Sequence, residues 1–201
     1  KDLGYNNILD LDAGLECLNE FNEPTCVIIK HNNPCGVCSA PKIDVAFKNA
    51  LNADPISAFG GIVMINRIIN KELAVLFSHN FFEIIAAKKF TKDALVVFKK
   101  KKNLILIKTN NIAVNKNSEI KNVAGGALVQ QKNLIKILHK DLLCVSKIKA
   151  NKKTVEDLIF ALKVCKHVKS NAVVLAKNKQ TVGIGAGQMS RLDTTKISLI
   201  K

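Results

Sequence analysis

Arginine and tryptophan are nearly missing from this chain. Tryptophan is absent, tyrosine occurs once, and aromatics make up 5% of the residues, so there is little for bases to stack on. Arginine occurs only at Arg67 and Arg191, and lysine therefore carries nearly all of the 31 basic side chains behind a net charge of +15. Nucleic-acid surfaces favour guanidinium forks and aromatic platforms. Here the lysines are spread over most segments, and abundant Lys, Asn and Ile look like a coding bias, so no specific nucleic-acid partner is expected. No apolar run approaches the roughly 20 residues that span a bilayer, so no membrane association is expected. The first residues, KDLGYNNILD, lack the basic and apolar segments of a signal peptide. Six cysteines without such a signal do not make a disulfide framework, which leads to the expectation of a reduced, cytoplasmic protein. The chain opens at Lys1 with no methionine and is expected to be a piece of something larger.

Three common chemistries are also missing parts. Pro34-Cys35-Gly36-Val37-Cys38 matches half of a zinc deaminase signature, but none of His31, His79, His139 and His167 is followed two residues later by glutamate. Two thiolates without a placed third ligand do not make a catalytic zinc site, so no zinc is expected. No Gly-Lys-Ser/Thr follows a glycine loop. In Gly183-Ile184-Gly185-Ala186-Gly187-Gln188 the third glycine of a dinucleotide fingerprint is Gln188, and the strands before it read as a hairpin, which excludes a Rossmann site.

What is present is a folded α/β chain. With 201 residues and 48% apolar content, it can bury one large core or two small ones. Asp10 is expected to cap a helix bearing Leu11, Leu15 and Leu18 on one face, and Asn22 to Thr25 to break it. Cys26–Ile29 reads as a buried strand and Asn32 to Gly36 as the turn after it. Helices are expected over 42–53, 71–78 and 91–102, and strands over 62–65, 83–87 and 104–108. Phe59-Gly60-Gly61 permits close backbone approach. The polar stretch 109–122 reads as a surface excursion or a subdomain junction, followed by a turn at Gly125-Gly126 and a strand to Val129. Thr154 and Asp157 resemble a capping box for a helix that buries Leu158, Leu162 and Cys165. Strands 172–176 and 180–184 follow, joined by a tight turn at Lys177-Asn178-Lys179, and another helix starts after Met189-Ser190-Arg191. His79, His139 and His167 read as surface or capping residues. Alternating helices and short buried strands give a layered α/β/α class, with two similar lobes.

Two places carry chemistry. Lys30 and His31 stand side by side where the first strand ends, and in α/β sheets ligands lie beyond the carboxyl ends of strands. The glycine-rich turn before Arg191 opens a helix whose free N–H groups favour an anion. Asn171, entering a strand, is either a cap or a ligand-holding amide.

Four blocks in this order, IIKHNNPCG, ADPISAFGGIVMINR, KVCKHVKSNAVVLAKN and TVGIGAGQMSR, closely resemble the transformylase region of the AICAR transformylase/IMP cyclohydrolase family. The resemblance implies formyl transfer from 10-formyltetrahydrofolate to the 5-amino group of AICAR, giving FAICAR. It implies tandem cytidine-deaminase-like lobes without zinc: residues 1–108 with the Lys-His motif, a connecting subdomain over 109–150, and the start of a second lobe over 151–201. The cyclohydrolase domain and a C-terminal stretch with folate contacts are expected to lie outside this chain. By motif, Lys30, His31 and Asn171 correspond to catalytic residues, the lysine to an oxyanion stabiliser and the histidine to a proton carrier. Phe59, Gly60, Glu83 and Arg191 correspond to AICAR-binding residues, and Ile56, Ser190 and Leu192 to folate-binding ones. A homodimer is implied, and a monovalent cation is left open. Ala87 stands where the family has proline, and Cys38 is unusual after PCGV. The competing expectations are a catalytically inactive remnant that still binds nucleotide, and a basic RNA-binding module.

Overall fold

The computed structural model describes residues 2–110, 112 and 118–200. Its centre is a seven-stranded mixed sheet, and the strands carry the apolar residues that the sequence places in short buried runs. In chain order the elements are α1 (Tyr5–Leu18), β1 (Thr25–Lys30), β2 (Asn33–Ser39), α2 (Ile43–Ala53), α3 (Pro55–Ala58), β3 (Gly61–Ile69), α4 (Lys71–Ser78), β4 (Phe82–Phe90), α5 (Lys92–Phe98) and β5 (Ile105–Lys108). After these come β6 (Ser118–Val123), β7 (Gly126–Gln131), a single 3-10 turn (His139–Asp141), α6 (Lys152–Cys165), β8 (Val173–Lys177), β9 (Gln180–Gly185) and α7 (Arg191–Ile200). The sheet order is β5-β4-β3-β1-β2-β9-β8, and β6 and β7 form a separate hairpin. β3, β4 and β5 run parallel, while β1, β2, β9 and β8 join by antiparallel pairs.

Alternation along each strand builds two cores. Cys26 and Ile28 of β1, Val63 and Ile65 of β3 and Ile85 of β4 meet Phe47, Phe77 and Phe98 from α2, α4 and α5. Val27, Ile29, Ile62, Met64 and Ile84 face the other way, against Leu11, Leu15 and Leu18 of α1 and Phe160 and Val164 of α6. Burying each of these larger side chains contributes about 1.5–3 kcal/mol. The result is a mixed α/β fold with helices on both faces of one large sheet.

Local chemistry moved several boundaries from their sequence-based positions. Helix α1 starts at Tyr5, so Asp10 sits inside it and caps nothing; its carboxylate turns to the β1–β2 loop instead. Pro34, Cys35 and Gly36 lie within β2, because the turn is completed by His31 and Asn32 alone. Helix α5 ends at Phe98, and Lys99, the first of four consecutive lysines, is its C-cap residue. Asn151, not Thr154, caps α6, accepting from Thr154 N at 2.9 Å. Leu158 and Leu162 of that helix are exposed, and Phe160 and Val164 form its buried face. Of the polar stretch 109–122, residues 111 and 113–117 lie outside the described residues, and 118–122 form most of β6. His167 is largely buried against Glu20 rather than solvated.

The hairpin β8–β9 repeats β1–β2. Ile28 faces Gly36, Ile29 faces Pro34 and Lys30 faces Asn33 across a bulge. At a constant sequence offset, Leu175 faces Gly183, Ala176 faces Thr181 and Lys177 faces Gln180 across the same bulge. Both turns place two non-glycine residues at positive φ: His31 (49°) and Asn32 (60°), then Asn178 (55°) and Lys179 (54°). Each hairpin is covered by the following helix so closely that a Cβ on Gly36 would lie 2.0 Å from Ala50 O, and one on Gly183 would lie 1.9 Å from Ser198 O. The hairpins abut through Cys38 and Gln180, with Thr181 Oγ1 accepting from Val37 N at 2.9 Å. Because β2 and β9 are antiparallel, the two turns lie at opposite edges of the sheet.

Candidate functional site

The edge that holds the His31 turn is also the edge where β3 and β4 begin and where β9 ends. The Lys30–His31 pair lies at the carboxyl end of β1, and the segment leading into α7 at the carboxyl end of β9. For the parallel strands β3 and β4 the same edge is the amino end, because β1 runs against β3.

Lys30 closes β1 and His31 opens the turn. Lys30 Nζ donates to Phe59 O at 2.9 Å, which uses one of its three N–H bonds and leaves the others to a ligand. Among the described residues no carboxylate pairs with Lys30, so its positive charge is uncompensated by any ion pair. Gly60 turns the chain beside it at φ +65°; a Cβ there would meet Lys30 Nζ at 3.3 Å and Phe81 Cε1 at 3.4 Å. Gly60 N donates to Phe81 O at 2.9 Å, and the Phe59 and Phe81 rings pack with centroids 5.1 Å apart. Both rings are exposed, Phe59 at 67% and Phe81 at 50%, so the pair forms an apolar wall open to a planar ligand.

The turn itself is held from three sides. Asn32 N donates to Asp10 Oδ1 of α1 at 2.7 Å. Asn33 Nδ2 donates to His31 O at 3.0 Å, and Asn33 Oδ1 accepts from Lys169 N at 3.0 Å. That last bond brings the Lys169-Ser170-Asn171 segment against the His31 turn. Asn32 Oδ1 is buried without a partner among the described residues.

Asn171 follows a cis peptide bond after Ser170. Its Nδ2 donates to Gln188 O and to Met189 O, each at 2.9 Å. Both partners are carbonyls, so the amide nitrogen must face them, and Oδ1 is left as the outward acceptor. The same two bonds fix the loop that opens α7, where Ser190 Oγ accepts from Asp193 N at 3.3 Å and Arg191 and Leu192 are exposed. Ile56, on the short helix before Phe59, is 85% exposed. Glu83 lies at the start of β4, where its Oε2 accepts from Asn7 Nδ2 at 3.1 Å.

Lys30, His31, Phe59, Gly60, Glu83, Asn171, Ser190 and Arg191 are thus gathered at one sheet edge from segments far apart in sequence. Sequence reasoning missed Phe81, Asn33 and Asp10. Phe81 follows a helix end with no motif around it, and Asp10 reads from the sequence as a helix cap. Only Asn33, beside the Lys-His pair, carried a usable signal.

Among the described residues no three of His, Cys, Asp or Glu are grouped to hold a metal. Burial pushes the Cys38 thiol up to about 11, and the thiolate needed by a metal is disfavoured there.

A family model described as the AICARFT/IMPCHase bienzyme matches residues 1–201. Over 195 residues the chain is 49% identical to the bifunctional purine biosynthesis protein PurH of Caldicellulosiruptor saccharolyticus, covering 96% of this chain and 37% of that relative. Against the protein of the same description from Buchnera aphidicola subsp. Baizongia pistaciae it is 47% identical over 206 residues, covering 100% and 39%. For Ruminiclostridium cellulolyticum the identity is 46% over 202 residues, covering 99% and 39%. The chain spans under two fifths of the length of these curated relatives. Because the family model matches it from end to end, the chain belongs to the AICARFT/IMPCHase bienzyme family.

Proposed function

We propose that this chain carries the reacting part of an AICAR transformylase, which moves the formyl group of 10-formyltetrahydrofolate to the 5-amino group of AICAR. The observation that carries this reading is the convergence of the Lys30–His31 turn with the Asn171 segment through the Asn33–Lys169 hydrogen bond. In the reaction, the amine nitrogen attacks the formyl carbon and the carbonyl oxygen becomes an oxyanion. Lys30, with N–H bonds to spare, stabilises that charge. His31 takes the proton released by the amine, a weak nucleophile that gains from general-base help. Collapse breaks the bond from the formyl carbon to N10, which leaves with a proton as tetrahydrofolate. The Asn171 Oδ1 accepts from the substrate amide or amine and orients it.

The Phe59 ring and Gly60 line the nucleotide, with Arg191 and the start of α7 favouring its anionic part and Glu83 a neighbouring polar group. Ile56, Ser190 and Leu192 face the folate. The repeat of β1–β2 by β8–β9 supports tandem deaminase-like lobes over 1–108 and 151–201, linked by 109–150. Exposed Leu134, Ile135, Leu143, Val145 and Ile148 in that linker support a homodimer, since so many uncovered apolar side chains mark an interaction surface. No helix of the described residues is long and apolar enough to cross a membrane. No residue of this chain is assigned to ring closure.

The test is formyl transfer by the gene-encoded protein beside its His31→Ala variant. Activity in the first and its loss in the second support the reading. AICAR binding without turnover in the first would point to an inactive remnant, and salt-dependent RNA binding alone would point to a nucleic-acid module.

A further inference from the structure

We propose that Asp10 is a positioning residue for the transfer, holding His31 in place through the backbone of the turn. This rests on the reading of His31 given above. His31 and Asn32 both adopt positive φ, at 49° and 60°. A two-residue hairpin turn of this hand normally takes glycine or Asn-Gly, because a Cβ crowds the backbone there. A histidine in such a turn needs an outside constraint. Asp10 supplies it: from the middle of α1, its Oδ1 accepts from Asn32 N at 2.7 Å, a charge-assisted bond to the backbone next to His31.

The second hairpin provides an independent instance of the same device. Its turn, Asn178-Lys179, again has two non-glycine residues at positive φ. There Asp157 of α6 accepts from Asn178 N at 2.9 Å and from Lys179 N at 2.7 Å. Asp10 and Asp157 occupy the same position of α1 and α6, each five residues after the first residue of its helix. A carboxylate on the helix that precedes the hairpin is therefore how this fold holds a glycine-free turn. In the first repeat the turn bears the Lys-His pair; in the second it lies at the opposite edge and bears Lys177 and Asn178. The same contact that only shapes the second turn aims a reacting side chain in the first.

The fold thus contains its own control. In the gene-encoded protein, Asp10→Ala is expected to lower kcat for formyl transfer at least about tenfold, with KM for AICAR within about twofold, as misplacement of a reacting group does. Asp10→Asn keeps an acceptor oxygen and should retain most of the activity. Asp157→Ala should lower the melting temperature to a similar extent and leave kcat unchanged. Should Asp10→Ala fail to fold, the double variant Asp10→Ala/Asn32→Gly, whose glycine adopts the turn without help, is to be measured; it should regain kcat. The proposal is overturned if Asp10→Ala keeps full kcat while His31→Ala is inactive, or if Asp157→Ala lowers kcat as much as Asp10→Ala. If His31→Ala itself is fully active, the reading of the site fails and not the positioning role alone.

Discussion

Asn33 Oδ1 accepts a hydrogen bond from Lys169 N at 3.0 Å, across 136 positions of sequence. It is the bond that ties the Lys30–His31 turn to the Asn171 segment, and Asn33 also holds His31 O through its Nδ2. Both bonds are exposed, so removing them is a small matter for stability and a large one for geometry. Asn33→Ala is expected to cost about 0.5–1.5 kcal/mol in unfolding free energy and about tenfold in kcat. Urea titration and steady-state kinetics on one preparation check both halves.

The two hairpins make a paired prediction on packing. A Cβ on Gly36 or on Gly183 would enter the carbonyl of Ala50 or of Ser198, and neither helix backbone can yield without lifting off its strand. Gly36→Ala and Gly183→Ala should each destabilise by about 1–3 kcal/mol or more. Gly126→Ala, where nothing lies within 4 Å, should be near neutral. Denaturant midpoints of the three variants decide it.

His167 makes stability depend on pH. Burial holds its pKa below the usual 6.5, outweighing the raising effect of Glu20 at 3.3 Å, a carboxylate that Lys166 already engages at 2.7 Å. The unfolded chain then binds the proton more readily than the folded one. Stability contributed by neutral His167 is complete above about 6.5 and is lost as pH falls through the folded value. Unfolding midpoints should drop between pH 7.5 and 5.5, and His167→Gln should show a smaller drop.

Thiol chemistry should follow burial. Cys17 and Cys26 are fully buried with pKa values raised by desolvation, and Cys38 is pushed up to about 11. Cys144 is exposed. Alkylation of the native protein at pH 7.5, read by peptide mass spectrometry, should label Cys144 first and leave those three unmodified.

Helix and strand periodicity made most of the fold legible: α2 and α4, the hairpin β8–β9 and the buried core of β1 lie where the apolar patterns put them. Two departures, at Asp10 and Asp157, share one cause: a polar side chain near a helix start reads from sequence as belonging to that helix. Asp10 and Asp157 both reach out to hairpin turns, and such partners are decided by tertiary contact. The spacing of Leu158 and Leu162 fits a buried helix face, yet the face that meets the sheet carries Phe160 and Val164. The candidate site is legible in the sequence where motif and residue type coincide, as at Lys30-His31 and Phe59-Gly60. Its assembly is not, because the Asn33–Lys169 bond, the Phe59–Phe81 wall and the carbonyls fixing Asn171 link segments with no pattern in common.

The most direct measurement is formyl transfer from 10-formyltetrahydrofolate to AICAR by the gene-encoded protein, alongside His31→Ala and Lys30→Ala. The expected result is an active parent and losses of about a hundredfold or more in kcat for each variant, the scale of general-base and oxyanion contributions. An active parent whose two variants keep full kcat would contradict it.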